Sequence, residues 1–249
     1  MDVWTKRRTT APAHLFAAET AGLSWLRVPG GVDIVEVIET AGDAITLARV
    51  HEAAPTRAAA EAFGAALAVT HDAGAPAFGA APDGYTGPCF IADLPMPTEP
   101  ETDWGTFYAE QRVMHYARLA ESELGPPGRR VVDALCERLS AGVFNDNAPP
   151  ARLHGDLWAG NVLYAATGAV LIDPSAHGGH RVTDLAMLSL FGAPHLGVVL
   201  DAYERASNYL PDGWRDLIGL HQVYPLLVHT VLFGGGYAAG AVSAARRYV

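Results

Sequence analysis

Three short segments within the first fifty residues alternate between apolar and polar positions in the way that β-strands do. Such alternation turns one side of a strand to a core and the other side to solvent. It predicts three strands, at residues 2–6, 32–39 and 44–50. The segment Ala-Gly-Asp at 41–43 predicts that the last two strands form a hairpin.

Residues 14–27 place their apolar side chains at helical spacing, and this helix should end before Pro29. On it Leu15, Glu19 and Leu23 fall on one face, because they are four residues apart. A carboxylate within an apolar stripe is costly to bury without a cation beside it. The pattern therefore predicts that Glu19 points inward to a cationic partner.

Beyond Pro55 the pattern becomes mainly helical, with one interruption. The predicted helices are residues 57–71, 103–123, 128–141, 184–192, 195–209, 213–233 and 237–247. Residues 75–102 hold many prolines and glycines and are predicted to be a loop. Between the third and fourth helices, residues 162–165 and 169–172 are predicted to form a short hairpin around Gly168.

This order of elements predicts an α+β fold in two lobes. Residues 1–53 would form a small β-rich N-terminal lobe, and residues 54–249 a mostly helical C-terminal lobe. A chain of 249 residues has room for one large domain or two tightly joined lobes.

Composition and charge narrow the classes of function. Half of the residues are hydrophobic and the net charge is −10, which argues against nucleic acid as a partner. Cys89 and Cys136 stand far apart and suggest reduced thiols. The basic start is not followed by an apolar stretch, so no signal peptide is predicted, and no run reaches membrane-spanning length. We therefore expect a cytoplasmic protein without a membrane partner.

The most informative residues are His154-Gly155-Asp156, Asn161 and Asp173, which surround the predicted hairpin. A carboxylate, an amide five positions beyond it and a later carboxylate are the groups that phosphoryl transfer uses. The first would orient the acceptor hydroxyl, and the other two are hard oxygen donors that suit Mg²⁺. An Asp and an Asn that only cap turns are the structural alternative.

Two segments carry a family resemblance. LHGDLWAGNVLY at 153–164 and IDPSAHGGHRVTDLAMLSLFG at 172–192 resemble signatures of the fructosamine (ketosamine) kinase family. Looser similarity extends to WGTF at 104–107 and FGAALAVTHDAG at 63–74. Aminoglycoside and choline kinases share the H-G-D-x4-N frame but usually lack the other details.

The resemblance implies a two-lobe protein-kinase-like fold that uses ATP and Mg²⁺. By position, Asp156 matches the catalytic aspartate, and Asn161 and Asp173 match the metal ligands. Lys6 matches the strand lysine that binds the nucleotide phosphates, and Glu19 matches its helix partner.

The nucleotide is expected at the lobe junction near residues 46–53, with Arg49 and Val50 as contacts. The acceptor is expected to be a small molecule or a glycated amine. Its candidate contacts are Trp158, His180 and Trp104, each of which could equally serve packing.

The resemblance implies phosphorylation of a ketosamine at the sugar 3-hydroxyl. An aminoglycoside- or choline-type acceptor is the first alternative, and a nucleotide-binding pseudokinase is the second. Only five residues precede Lys6, fewer than the Gly-rich hairpin that covers the phosphates in the family needs. Whether Met1 is the native start and which oligomer forms are left open by the sequence.

Overall fold

The computed structural model describes residues 2–249. Its strands are β1 Val3–Arg7, β2 Asp33–Ile34, β3 Val37–Thr40, β4 Ala44–Ala48, β5 Cys89–Ile91, β6 Leu94–Met96, β7 Ala151–Leu153, β8 Val162–Ala165, β9 Gly168–Leu171 and β10 His177–Gly179. Its α-helices are α1 Leu15–Trp25, α2 Arg57–Asp72, α3 Trp104–Phe107, α4 His115–Leu119, α5 Glu121–Ser140, α6 Val182–Phe191, α7 Leu196–Ala206, α8 Trp214–His221, α9 Val223–Phe233 and α10 Tyr237–Ala245. A π-helical segment, Tyr108–Met114, joins α3 to α4.

The N-terminal sheet has the order β1-β4-β3, and both of its pairings are antiparallel. The predicted hairpin between β3 and β4 is confirmed. The strand predicted at 32–39 is instead two strands, because Ile34 and Val35 are both buried and interrupt the alternation. As a result β2 leaves this sheet and pairs in parallel with β9.

Helix α1 packs across the inner side of this sheet and confirms the predicted apolar stripe. Phe16 and Leu23 are fully buried, and Glu19 is buried with them. The apolar cluster under α1 continues through Ile45 to Leu171, so it runs from the N-terminal sheet into the second half of the chain. The division near residue 53 stays a prediction.

The long helices predicted from the pattern are interrupted. Residues 103–123 form α3, the π-helical segment and α4, and 213–233 is divided at Gln222 between α8 and α9. Helix α5 is interrupted at Gly125, which has a φ of +59° and is followed by two prolines. Left-handed backbone of this kind is strained for residues with a side chain, so glycine suits the position.

The segment predicted as a loop at 75–102 contains the hairpin β5–β6. Three-residue strands are too short to show alternation, so the pattern could not indicate them. The same reason hides β7 and β10, which pair with each other on either side of the predicted hairpin β8–β9. No helix within 2–249 combines the length and the apolar character that crossing a bilayer requires.

Candidate active site

The loop after β7 is shaped by His154 and Gly155, the two residues before Asp156. The buried His154 donates from Nε2 to the carbonyl of Ile172 over 2.9 Å, and its Nδ1 accepts from the amide of Asp156 at 3.2 Å. Gly155 has a φ of +83°, and a Cβ there would lie 2.1 Å from the carbonyl oxygen of Ser175. The sequence H-G therefore turns the chain so that Asp156 enters the cleft.

Asp184, on α6, fixes the backbone of this loop with its buried carboxylate. Its carboxylate accepts from the amides of His154 and Gly155 at 2.7 and 3.0 Å, and from Nε2 of His71 at 3.1 Å. Burial alone would raise the pKa of Asp184, but these hydrogen bonds keep the pKa below its ordinary value. Asp184 therefore steadies this loop.

We expect Asp184→Ala to destabilise the fold by about 3–5 kcal/mol, because buried partners lose their only acceptor. At this chain length that corresponds to a fall in Tm of roughly 6–20 °C.

The pKa of Asp184 is lower in the folded state than in the unfolded state. Its contribution to the free energy of unfolding is therefore complete above the unfolded pKa and is lost as pH falls through the folded pKa. Thermal unfolding of both proteins from neutral to acid pH should therefore show a shrinking gap. Ser189→Ala on the same helix is the control, and equal Tm values for Asp184→Ala and Ser189→Ala would contradict this role.

Asp156, Asn161 and Asp173 meet as the sequence pattern predicted. Nδ2 of Asn161 donates to the carbonyl oxygen and Oδ2 of Asp156, at 2.8 and 3.1 Å, and lies 3.5 Å from the carbonyl oxygen of Asp173. Burial raises the pKa of Asp156 to about 6, against the lowering effect of the Asn161 hydrogen bond. A carboxylate with a pKa near working pH suits proton transfer.

Lys6 joins this group from the opposite lobe. Its Nζ lies 3.1 Å from Oε2 of Glu19 and 3.1 Å from Oδ2 of Asp173. Burial alone would lower the pKa of Lys6, but the two carboxylates raise that pKa above its ordinary value and keep Lys6 protonated. Burial raises the pKa of Glu19, and Lys6 opposes that shift. The ion pair predicted for Glu19 is therefore present, and it reaches the metal-ligand candidate Asp173.

The donor set around Asp173 fits a magnesium ion carried by phosphates. Oδ1 of Asp173 is buried and has no hydrogen-bond partner among residues 2–249. Asp173 also has a φ of +52°, a left-handed conformation that often marks functional positions. In the described chain no three His, Cys, Asp or Glu residues cluster as a metal site. Mg²⁺ usually takes one or two carboxylates, with phosphate and water oxygens completing its shell, so one carboxylate beside an amide is compatible.

The site opens into two adjoining cavities. The polar cavity, of about 330 Å³, is lined by Lys6, Glu19, Asn161 and Asp173 among others. The second, of about 310 Å³, is lined mainly by apolar and aromatic side chains and is called the aromatic cavity below. Asp156 and Trp158 line both cavities. A donor in the polar cavity and an acceptor in the aromatic cavity would therefore meet at Asp156.

Four candidate residues lie away from these cavities. Arg49 is exposed and binds the carboxylate of Asp2 and the carbonyl of Val3, while Val50 packs against the apolar cluster. Neither residue lines the polar or the aromatic cavity, because Arg49 is engaged by Asp2 and Val3 and Val50 packs into the apolar cluster.

Trp104 and His180 are also placed differently from the expectation of acceptor contact. Both are buried, their ring centres are 5.2 Å apart, and His180 is held by Asp146 at 3.0 Å. Their contacts are those of core residues. Trp158 is the predicted acceptor candidate that does line the cleft, and it is 42% exposed.

Sequence reasoning missed Arg8 and the hairpin β5–β6. Arg8 lines the polar cavity two positions after Lys6, and it forms an ion pair with Asp93 at the tip of the hairpin. Ala92, also at this tip, lines both cavities. Arg8 directly follows β1, and its spacing of two from Lys6 could have indicated it, since residues two apart in an extended segment share a face.

The chain matches known proteins along its length. The model of the fructosamine kinase family matches residues 2–249. A protein of Enterococcus faecium named as a ketoamine kinase is 35% identical over 233 residues, which is 90% of this chain and 79% of the relative. In two further bacterial proteins named as ketoamine kinases the match spans only 61% and 52% of the relative.

Solved structures agree. The crystal structure of a Thermobifida fusca protein described as a fructosamine-3-kinase is 45% identical, with a TM-score of 0.89 and coverage of 98% of this chain and 84% of that one. The choline kinase LicA of Streptococcus pneumoniae, at 14% identity and a TM-score of 0.63 over 98% and 84% of the two chains, shares the fold alone. Together with the whole-length family match, these likenesses show that the chain belongs to the fructosamine kinase family and is a phosphotransferase of the protein-kinase-like fold that acts on a hydroxyl group.

Proposed function

We propose that this protein transfers the γ-phosphate of ATP to a sugar hydroxyl of a ketosamine. The observation that carries the proposal is the continuous polar line from Lys6 through Asp173 and Asn161 to Asp156, which ends where the two cavities meet. Such a line can hold a nucleotide's phosphates at one end and an acceptor hydroxyl at the other.

Each residue has a separate task in this proposal. Lys6, held by Glu19, binds the phosphates, and Asp156 orients the acceptor hydroxyl and takes its proton. Asn161 and Asp173 would hold Mg²⁺, which when bound neutralises charge on the phosphates. Trp158 borders the acceptor, because it is exposed to both cavities.

An acceptor panel tests this function. Purified protein is incubated with ATP and Mg²⁺ and with a fructosamine, a ribulosamine, an aminoglycoside or choline, and ADP formation is followed with the product's mass. We expect acceptor-dependent ADP only with ketosamines. Transfer to an aminoglycoside or choline alone would support the first alternative. No turnover with any acceptor, alongside measurable ATP binding, would support the pseudokinase alternative.

Arg8 should add a second cation at the phosphates. We expect Arg8→Ala to raise the KM for ATP about tenfold, the loss of one charge-assisted contact of roughly 1.5 kcal/mol. Arg7→Ala is the matched control, because Arg7 is the neighbouring strand residue and pairs with Asp43 away from the cavity. Steady-state kinetics with varied ATP measure the effect. If the two variants have the same KM, Arg8 has no contact with the nucleotide.

A further inference from the structure

The aromatic cavity lacks a positive charge. Among its lining residues, all within the described chain, Asp156 is the one ionised group at neutral pH. The remainder of its wall comes largely from α6, α9 and the start of α10, and includes Met187, Val228 and Leu232. At about 310 Å³ the cavity can hold a sugar and a small substituent, since small-ligand pockets begin near this size.

Four rings form the outer wall of this cavity. The ring centre of His229 lies 4.8 Å from Phe191, 5.4 Å from Phe233 and 5.2 Å from Tyr237. Phe233 is 67% exposed and Phe191 40%, so both reach solvent at the rim. Exposed aromatic rings that converge on a cavity next to a catalytic centre are suited to contact a ligand.

His229 contributes an acceptor rather than a cation. Burial lowers the pKa of His229, with an opposing effect from its hydrogen bond to Pro225, so the ring is neutral at pH 7. Nδ1 lies 2.8 Å from the carbonyl of Pro225, and it must donate because a carbonyl oxygen can only accept. Nε2 therefore carries the lone pair, and within residues 2–249 no side chain or amide donates to it.

We propose that this cavity selects ketosamines whose nitrogen carries an uncharged apolar group, and disfavours those with a carboxylate beside the nitrogen. The inference rests on the proposed function and specifies its acceptor. The protonated amine of a ketosamine is attracted by ring faces, by the lone pair of His229 and by Asp156. A carboxylate would lose its hydration without meeting a cation, and Asp156 would repel it. Adducts of simple apolar amines fit this surface better than adducts of free α-amino acids.

Three adducts of fructose separate charge from size: those of isobutylamine, valinamide and valine, which share the branched side chain. We expect kcat/KM to be at least about tenfold higher for the first two than for the valine adduct, since only the valine adduct places a carboxylate in a cavity that offers it no cation. Equal values for all three, or a preference for valine, would overturn the inference. Low values for both valinamide and valine would also overturn it, because size and not charge would then decide.

Calorimetric titration of the same three adducts keeps this test independent of turnover. If no ketosamine is phosphorylated, the proposed function fails, yet tighter binding of the isobutylamine and valinamide adducts would still support the inference. If all three bind equally, the inference fails whatever the activity.

Phe233→Arg tests the location. This exposed residue can accept a long polar side chain, and the arginine would supply the cation that the rim lacks. We expect the preference against the valine adduct to fall by about tenfold or to reverse. Val143→Arg, at another exposed apolar position away from both cavities, is the control and should leave the preference unchanged. If Phe233→Arg leaves the preference unchanged, the rim of the aromatic cavity does not determine which adduct is preferred, and the inferred location is wrong.

Discussion

Asp156→Asn should lower kcat by about a thousandfold, because general-base catalysis by a positioned carboxylate contributes roughly 10²–10⁴ in rate. Asparagine keeps the shape of the side chain, and its carbonyl oxygen can still accept from Asn161. What it loses is the ability to take the proton of the acceptor hydroxyl. The loop itself should persist, since Asp184 and His154 shape it independently of the Asp156 carboxylate.

The effect should appear in kcat and leave ATP binding near its original strength. ADP formation under saturating ATP and acceptor measures the first, and calorimetric titration with ATP measures the second. Asp133→Asn, on the surface of α5, is the control for loss of one negative charge. Activity of Asp156→Asn within a few-fold of the unaltered protein would contradict the mechanism, provided that both have the same Tm.

Lys6→Met should lower kcat/KM for ATP by about 10²–10³, the usual effect of removing one group that stabilises transition-state charge. Lys6 is held by two carboxylates at 3.1 Å, so its position is determined before the nucleotide arrives. Methionine retains most of the length of the aliphatic stem and removes the cation, whose Nζ lies 6.0 Å from the centre of the Phe16 ring. Steady-state kinetics with varied ATP check the value.

A double-mutant cycle with Glu19→Gln tests how Lys6 is held. If Glu19 acts by positioning Lys6, Glu19→Gln should lower kcat/KM for ATP less than Lys6→Met does. The double variant should then have a kcat/KM no lower than that of Lys6→Met alone. Additive losses would show that Glu19 has a role of its own at the phosphates. Thermal unfolding of the three variants separates these outcomes from misfolding, because Glu19 is buried and its partner is lost in Lys6→Met.

The active-site elements followed from the sequence because their signals are local. A segment of eight residues contains His154, Asp156 and Asn161. The two strands that flank Gly168 are long enough for the hairpin to be recognised from the sequence. The inward direction of Glu19 followed from one helical face, and Lys6 lies beside it in the structure. These features depend on spacing along the chain, which a sequence displays directly.

The candidate residues that lie away from the cavities have positions that local signals do not report. Trp104 and His180 are polar or aromatic residues next to recognisable motifs, but they meet in the core with Asp146, from three separate segments. Arg49 directly follows β4 and pairs with Asp2 outside the polar cavity. Such contacts depend on how elements pack, and no periodicity within one element reports them.

The α+β class, the approximate positions of most helices and the side chains that meet at the candidate catalytic loop could be predicted from the sequence alone, because hydrophobic periodicity and short spacings encode them. How the elements pack decides that Arg8 meets the hairpin β5–β6 and that Phe191, His229, Phe233 and Tyr237 border one cavity whose described lining carries no cation. The residues of that cavity come from segments more than a hundred positions apart. Which side chains share a cavity is a property of packing between elements, and the proposal about the acceptor therefore depends on the folded chain.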